Sequence, residues 1–594
     1  MNGFRKFIKD HERLSLFALF YIIYILNTRT IGAGDTIPAS LLPFCILENH
    51  NLYFDIFYPY FSNSYPYVWF LMQAKGHYLS LYPIVTPLII TPLYILPYFF
   101  LKLLHYPIDI SNPGFMQVVL LLEKLIASLI AALSGVFVFM SLKELINIRV
   151  ATIVAVVFAF GTNTWTISSQ ALWQHGMVEL LLSIILYVVI INEKRATNIN
   201  IVILGILSGL FTFNRPIDSI LLIPLIYYIL DKKDQRIIYY FVSMLLISLP
   251  LTIYNFYYFG NLFGGYTGLL SQFSLNSATP FNFVGLLLSP SRGLLVYTPI
   301  ILGSVLGYHE LSKLSTSKTR NFLLMFGPVV ILQIISYSLF RTWWAGWSYG
   351  PRFLTGMLPV LMVFLGYCLK DYFESSKLNK RDMLFLSLLS VLLVWSIFVQ
   401  VVGAFYYDPN FGWDGDPNID SHPERLWELS NNQIIRSFNS GPIVKDPFGN
   451  IYIIIMHSKD ILSYDNVEPM EVNTSIGDNW YELEYWNEVP TRWMRNDATL
   501  RFDLCENRTA LLSLDAFSFK LNRTLTILSD GKPIAIESIS NTHFTPVKAP
   551  IRLNKGTNTI ILAVKEGCSD SGTGNMPGKC LSVAIQNIKL FGTS

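Results

Sequence analysis

The sequence predicts a polytopic α-helical membrane protein that carries an all-β domain at its C-terminal end. Three observations predict it. The 594 residues are 52% hydrophobic and 15% aromatic but only 14% charged, with a mean hydropathy of +0.44, a balance foreign to a water-soluble chain of this length. Apolar stretches approaching the length of a membrane span recur from residue 14 to residue 404. Beyond 404 the polarity rises, and from about residue 470 short alternating strands take over. A net charge of +3 with no basic stripe excludes nucleic acid as a partner.

The N-terminal "MNGFRKFIKDHERLS" is basic and lacks a small-residue cleavage signature, so it reads as a cytoplasmic lead-in to a retained helix. Apolar segments follow near 14–30, 115–142, 149–163, 174–192, 199–213, 217–231, 236–258, 293–308, 321–340, 353–369 and 383–404. Several fall short of the roughly 20 residues that a straight span needs. The connectors "KELINIR", "NEKRATN", "DKKDQR", "HELSKLSTSKTR" and "LKDYFESSKLNKRD" all carry Lys or Arg. Placing all five in the cytoplasm with the N-terminus gives about eleven spans and an extracytoplasmic C-terminus, as in a multi-pass protein of the cell membrane.

One apolar stretch resists that count. "YPIVTPLIITPLYILPYFFLKLL" (82–104) is long enough to cross, but counting it inverts every later connector, and it holds Pro83, Pro87, Pro92 and Pro97. Each proline removes a helix hydrogen bond. It reads as a broken, membrane-dipping part of one long exterior loop, 31–114, that walls a cavity. The plainer alternative is an ordinary span with a second segment misjudged.

The chain therefore divides into a membrane domain over 1–404, a connecting segment over 405–469 and an exterior β-sandwich or jelly roll over 470–594. The strands include "ATLRFDL", "TLTILSDGKPIAI" and "APIRLNKGTNTIILAV", and the "SDGK" within the second is a hairpin signal. Cys568 and Cys580 bracket a Gly/Ser-rich loop and can pair outside the cytoplasm. The sequons at Asn473, Asn507 and Asn522 fit an exterior location.

With this threading, polar residues at span ends collect on the exterior side. Asp35, Asp55 and His77 lie in the first loop; His175 follows in "SSQALWQHG", Arg215 in "FNRPID" and Asn255 in "IYNFYYFGN". Arg292 is in "SPSRG", and Trp344 and Arg352 are in "RTWWAGWSYGPRF". Each has a bland reading as a headgroup-layer anchor or a satisfied span-end residue. For Arg292 and Arg352 a Gly/Pro turn adds backbone amides that face an anion. No His/Cys/Asp spacing suits a metal, and neither a G-x-S-x-G motif nor a Walker loop is present.

The runs "GAGDTIPASLLPF", "SLYPIVTP", "FGTNTWTISSQALWQHG", "GLFTFNRP", "LLLSPSRGLLVYTP" and "WWAGWSYGPRFLTGMLP" resemble the GT-C membrane glycosyltransferases over about residues 15–405. The branch nearest in pattern is that of the protein-mannosyltransferases and ArnT-like enzymes, with archaeal and bacterial members. The resemblance implies a polyprenyl- or dolichyl-phosphate-linked sugar donor and transfer on the exterior face with inversion. It also implies an acceptor on a glycan, lipid or protein, and a first-loop acid acting at that acceptor, here Asp35. Donor phosphate contacts fall to Arg352, Arg292 and Arg215, and substrate contacts to Asp55, His77, His175, Asn255 and Trp344. The first loop lacks the D-x-D of the oligosaccharyltransferase branch, and W-W-D-Y-G is missing. No cofactor is therefore implied, and a divalent metal stays open.

The chemistry explains an acid in a Gly-rich turn. A hydroxyl is a poor nucleophile at neutral pH, so a carboxylate takes its proton as the new C–O bond forms. The departing lipid phosphate needs arginine and aimed backbone donors. The expected arrangement puts Asp35 and the arginines on opposite sides of the anomeric carbon. The competing role for Asp35 is to cap the helix begun by "TIPASLL". A lipid-linked sugar flippase or transporter with an exterior glycan-binding domain is the alternative function, favoured by inverted repeats that the sequence does not display.

Overall fold

The computed structural model describes residues 11–27, 29–64, 68–110, 112–231, 235–375, 378–408, 412–415, 417–442, 473–476, 478–486, 489–504, 508–529, 531–570 and 580–593. The chain separates into two compact units, 1–461 and 462–594.

The first unit is helical. Its main helices are α1 (Glu12–Ile25), α2 (Ile37–Asn49), α3 (Val85–Leu103), α4 (Pro113–Leu145), α5 (Ile148–Phe160), α6 (Gln174–Lys194) and α7 (Asn198–Asn214). They continue as α8 (Ile223–Asp231), α9 (Arg236–Phe259), α10 (Thr279–Leu288), α11 (Leu302–Lys313), α12 (Lys318–Leu324), α13 (Phe326–Ser338), α14 (Leu358–Glu374) and α15 (Lys380–Phe405). Side-chain caps start several of them where the sequence turns polar. Asn112, Asn147, Thr197 and Ser317 each accept a first-turn N–H, and Asn379 with Asp382 forms a reciprocal capping box. Among the described residues, seven helical stretches are long and apolar enough to cross a membrane: 85–103, 114–145, 174–194, 236–259, 318–338, 352–374 and 380–405. Several of the other stretches expected to cross form shorter helices, α5 with 13 residues and α7 with 17 among them.

Contacts between connectors order the bundle. Lys143 pairs with Glu12, Lys194 with Glu144 at 2.7 Å, and Lys318 with Asp231 at 3.7 Å. Asn147 donates to Glu374 at 3.4 Å and Tyr228 to Glu193 at 2.6 Å. All five basic connectors and the start of α1 thus meet at one end. The turns that follow α1, α5, α7 and α13 lie at the other.

The first loop departs from expectation. Residues 85–103 form one continuous helix instead of a broken segment. Pro83 precedes it and Pro87 falls in its first turn, where no intrahelical N–H is needed, so only Pro92 and Pro97 are interior. Beside it, β1 (Leu71–Ala74) and β2 (His77–Ser80) make a hairpin turning at Lys75–Gly76, both with positive φ. In α2, Phe44 packs edge-on against both Tyr94 of mid-α3 and Phe115 of the first turns of α4. The loop helices therefore sit at the start of α4.

The segment expected as a connection is in part an integral piece of this unit. Trp413, Asp414, Ile419, Leu426 and Gln433 are all buried within it. Residues 443–472 and the sequon Asn507 lie outside the described residues.

The second unit is a two-sheet sandwich, as the alternating strands predict. Its strands are β3 (Asn473–Ile476), β4 (Trp480–Trp486), β5 (Val489–Met494), β6 (Asp497–Leu504), β7 (Arg508–Ser518) and β8 (Arg523–Ser529). After them come β9 (Lys532–Ile539), β10 (Thr545–Leu553), β11 (Gly556–Val564), the short pair β12 (Ser569–Asp570) and β13 (Cys580–Leu581), and β14 (Val583–Thr593). One sheet has the order β10-β7-β14-β5-β4 and the other β3-β6-β11-β8-β9, antiparallel throughout. Leu512, Leu514, Val547, Leu525, Ile527 and Ile560 fill the space between them. Cys568 and Cys580 are disulfide-bonded.

Candidate active site

Asp35 sits in the turn between α1 and α2, and its two oxygens have separate partners. Oδ1 accepts the indole N–H of Trp173 at 2.8 Å, and Oδ2 is ion-paired with Nη1 of Arg352. The two side chains are 16% and 11% exposed, so the pair is shielded yet reachable. The sequence separation of 317 residues makes this a contact of tertiary structure alone. The helix-cap role is not the one adopted: Thr36 is the N-cap of α2, with no side-chain cap bond, and the Asp35 oxygens bond Trp173 and Arg352 instead. Gly34 permits the turn to lie against Trp69, since a Cβ there would stand 2.6 Å from the indole.

Arg352 begins a 3₁₀ turn ahead of α14. Its Nη2 donates to the carbonyl of Ala345 at 2.7 Å, its guanidinium lies 5.4 Å from the Trp173 ring, and its buried Nε has no partner among the described residues. Beyond it Arg215 forms a second buried pair. Its Nε is 3.1 Å from Asp218 and donates to Tyr337 at 3.0 Å, while Nη1 reaches Gln174 at 3.4 Å. Tyr337 and Gln333 in turn donate to Asp218. His175 is 2% exposed, and its Nδ1, like Nε2 of Gln174, has no partner among the described residues. Both arginines act on His175 electrostatically.

Tyr82 and Tyr266 line the same region. Burial pushes both hydroxyls up; the Asp35 charge adds to this and Arg215 and Arg352 oppose it. Both therefore stay neutral phenols that can donate a hydrogen bond.

The other expected residues fall elsewhere. Arg292 is a structural arginine, and the expectation that it meets a phosphate is corrected. It is 1% exposed, and all five of its N–H groups are donated internally, to Trp344 O, Ser291 O, Gln433, Gly346 O and Asp414. Trp344 is buried in the same corner and donates to Asp420 at 2.8 Å. Asp55 pairs at 2.7 Å with His77 of the hairpin, and His77 stacks on Tyr53. Asn255 donates to Leu262 O at 2.7 Å and shapes the turn after α9. Asp35 and Arg352, expected on opposite sides of a substrate, are in contact here.

Sequence reasoning passed over the layer beneath. Arg29 is buried and donates to Gly403 O at 2.8 Å and to Tyr407 O. In α4, Glu123 accepts the N–H of Leu172 at 3.1 Å, and Lys124 donates to Gln170 at 2.8 Å. Glu179 of α6 accepts from Thr164 at 2.8 Å. The usable signal was "LLLEKLIASL", two adjacent charges inside an apolar span. No group of three or more metal-ligating side chains occurs among the described residues.

No protein-family model matches this sequence. No curated protein matches it either. Among solved structures the chain is similar to the Archaeoglobus fulgidus oligosaccharyltransferase in its apo form, at 13% identity and a TM-score of 0.42. That match covers 75% of this chain and 64% of the other, less than two thirds of its length. It is also similar to ArnT from Cupriavidus metallidurans bound to undecaprenyl phosphate, at 11% identity and a TM-score of 0.39, covering 75% and 76% of the two chains. The CBM22-1 xylan-binding domain from Paenibacillus barcinonensis matches 21% of this chain over 88% of its own, at 7% identity and a TM-score of 0.16. At such identities a likeness concerns chain course and not chemistry.

Proposed function

We propose that this chain is a membrane glycosyltransferase that moves a sugar from a polyprenyl- or dolichyl-phosphate donor to an acceptor hydroxyl, with inversion, on the extracytoplasmic face. The observation that carries the reading is the shielded Asp35–Arg352 pair at the end of the bundle opposite the basic connectors. By the positive-inside rule that opposite end is exterior, and the N-terminus is cytoplasmic.

In this reading the acceptor O–H gives its proton to the Asp35 carboxylate as its oxygen bonds the anomeric carbon. The bond from that carbon to the phosphate oxygen breaks, and its electron pair leaves with the lipid phosphate. Arg352 and Arg215 stabilise the charge that develops there, with Gln174, His175 and the neutral Tyr82 and Tyr266 as further polar contacts. The Arg352 guanidinium occupies Oδ2 of Asp35, an oxygen that the acceptor's proton would otherwise reach. Donor phosphate competes for Arg352, so donor binding releases the base when the sugar is in place. Asp55, His77 and Asn255 stand outside this core, at the rim where an acceptor arrives.

The test is transfer by the purified, reconstituted protein from hexosyl-phosphoryl-polyprenols to hydroxyl acceptors. Sugar on the acceptor, reduced by about 10²–10⁴-fold in D35N, is the expected result. Movement of the intact lipid across the vesicle without transfer would establish the flippase instead.

A further inference from the structure

Arg292 and Arg352 grip three successive carbonyls of one turn. Arg292 Nε donates to Trp344 O at 2.9 Å and its Nη2 to Gly346 O at 3.0 Å, while Nη2 of Arg352 takes the carbonyl between them, Ala345 O, at 2.7 Å. Ala345 and Gly346 both lie at positive φ, 65° and 62°. A left-handed alanine persists only where its surroundings over-determine it, and the Arg292 fork on the carbonyls to either side supplies that constraint. Gln433 extends the grip. Its Nε2 donates to Ser348 O at 2.9 Å, and its Oε1 accepts both the N–H of Gly350 at 3.0 Å and Nη1 of Arg292 at 2.7 Å. Asp414 accepts from Arg292 and from Gln433, which closes the set. The strip 344–350 is thus held at every second residue, and it runs straight into Arg352, whose own N–H donates to Gly350 O at 2.9 Å.

We propose that Arg292 is a positioning residue for Arg352: it fixes the 344–346 turn so that Ala345 O holds the Arg352 guanidinium beside Asp35. The consequence for transfer rests on the reading of Arg352 as a donor-phosphate contact; the positioning itself does not. In that reading Nη1 exchanges Asp35 for the donor phosphate, and the Nη2 bond to Ala345 O keeps the guanidinium in place through the exchange. A lysine at 292 keeps the charge opposite Asp414, but a single ammonium cannot span Trp344 O and Gly346 O as the fork does. Misplacement of a group at the reacting centre by about 1 Å costs on the order of 100-fold in rate. R292K is therefore expected to lower transfer roughly 10- to 100-fold.

The experiment uses the full chain in nanodiscs, labelled with 5-fluorotryptophan, with the Trp173 resonance assigned by its loss in W173F. That ring lies 5.4 Å from the Arg352 guanidinium and its N–H is donated to Asp35, so it reports on the pair. R292K should move the resonance toward its position in R352A, and should move it no further where R352A is already present. A folded R292K whose resonance is unmoved, or moves equally in both backgrounds, overturns the proposal. Should R292K fail to fold, R292M/D414L removes both buried charges together, an exchange that buried pairs often tolerate, and is held to the same outcomes. If that variant also fails to fold, Arg292 serves folding alone and the proposal falls. Undecaprenyl phosphate should bind R292K more weakly than wild type, and R292K/R352A no more weakly than R352A; a further loss in the double variant overturns the proposal as well. Equal binding by all of these, with the resonance following the expected pattern, would overturn the phosphate role of Arg352 and leave the positioning standing.

Discussion

Asp35 shares its oxygens between an indole N–H and a guanidinium, and that division decides what each substitution should do. In D35N the amide oxygen still accepts from Trp173, but the group can neither pair with Arg352 nor take a proton. Transfer should fall by about 10²–10⁴-fold, the usual contribution of a general base, with donor lipid still bound. Near-normal turnover by a folded D35N variant would end the catalytic assignment. R352A removes both the cation beside Asp35 and a phosphate donor, so it should weaken donor binding as well as transfer. R352K should recover little, because a lysine cannot hold Ala345 O and an anion in the same fork. Binding of undecaprenyl phosphate to the three variants checks this, and equal affinity in all would remove Arg352 from the phosphate. Asp35 and Arg352 were legible in sequence because each stands in a Gly-rich turn at a span end. Arg292 stands in a similar turn, but its partners Asp414 and Gln433 are more than 100 residues away in sequence, so its burial could not be read. Glu123 was visible as a charge within a span and was lost among apolar neighbours.

At the level of elements, small residues set how closely the helices approach. A Cβ on Gly205 of α7 would lie 2.0 Å from Ser243 Oγ and 2.3 Å from Tyr240 O of α9. In lipid, helix association depends on such close packing and not on hydrophobic burial. G205A should therefore push α7 from α9 and destabilise the helical unit by about 1–3 kcal/mol, read as a lowered thermal midpoint in detergent; an unchanged midpoint would mean the helices are free to part there. The β unit offers a pH test. Glu566 accepts the N–H and the hydroxyl of Thr524, each at 2.8 Å, and these bonds, the N–H foremost, hold its carboxyl below the usual glutamate value. A depressed folded pKa stabilises above the unfolded value and is lost as pH falls through the folded one. E566Q should thus unfold earlier than wild type at neutral pH. The gap should narrow as pH falls below about 4.3, and a gap constant with pH would assign it to something other than charge. The strands were legible because alternation and the "SDGK" turn are local signals. The continuity of α3 was not, since four prolines in a run suggest a break, whereas two of them fall where a helix needs no N–H.

For the whole molecule, the ordering of the connectors is the largest claim and the one most open to a direct test. Five basic connectors meet at one end through pairs such as Lys194–Glu144 and Lys318–Asp231, and Asp35, Trp173, Arg215 and Arg352 gather at the other. An odd number of crossings cannot be added or removed between these groups without putting some of them on the wrong side. The region to test is 78–110, because α3 is long and apolar enough to cross. If it crossed, Tyr78 and Ile110 would face opposite sides, and the chain would have to return before α4 begins. The packing argues against that. Phe44 touches both the middle of α3 and the first turns of α4, which puts half of α3 level with the start of the next span, and Lys102 near its end pairs with Glu48 at 2.6 Å beside the end of α2. Single cysteines at positions 78, 110, 147, 197 and 316 can be labelled with an impermeant maleimide in sealed right-side-out vesicles. Cys45 and Cys368 are buried and should react little, and the unlabelled parent chain sets the background from the remaining cysteines. Positions 78 and 110 should react without permeabilisation, and 147, 197 and 316 only after it. Reaction of 78 and 110 from opposite sides would make α3 a span and move the Asp35 site to the wrong face for half of the connectors.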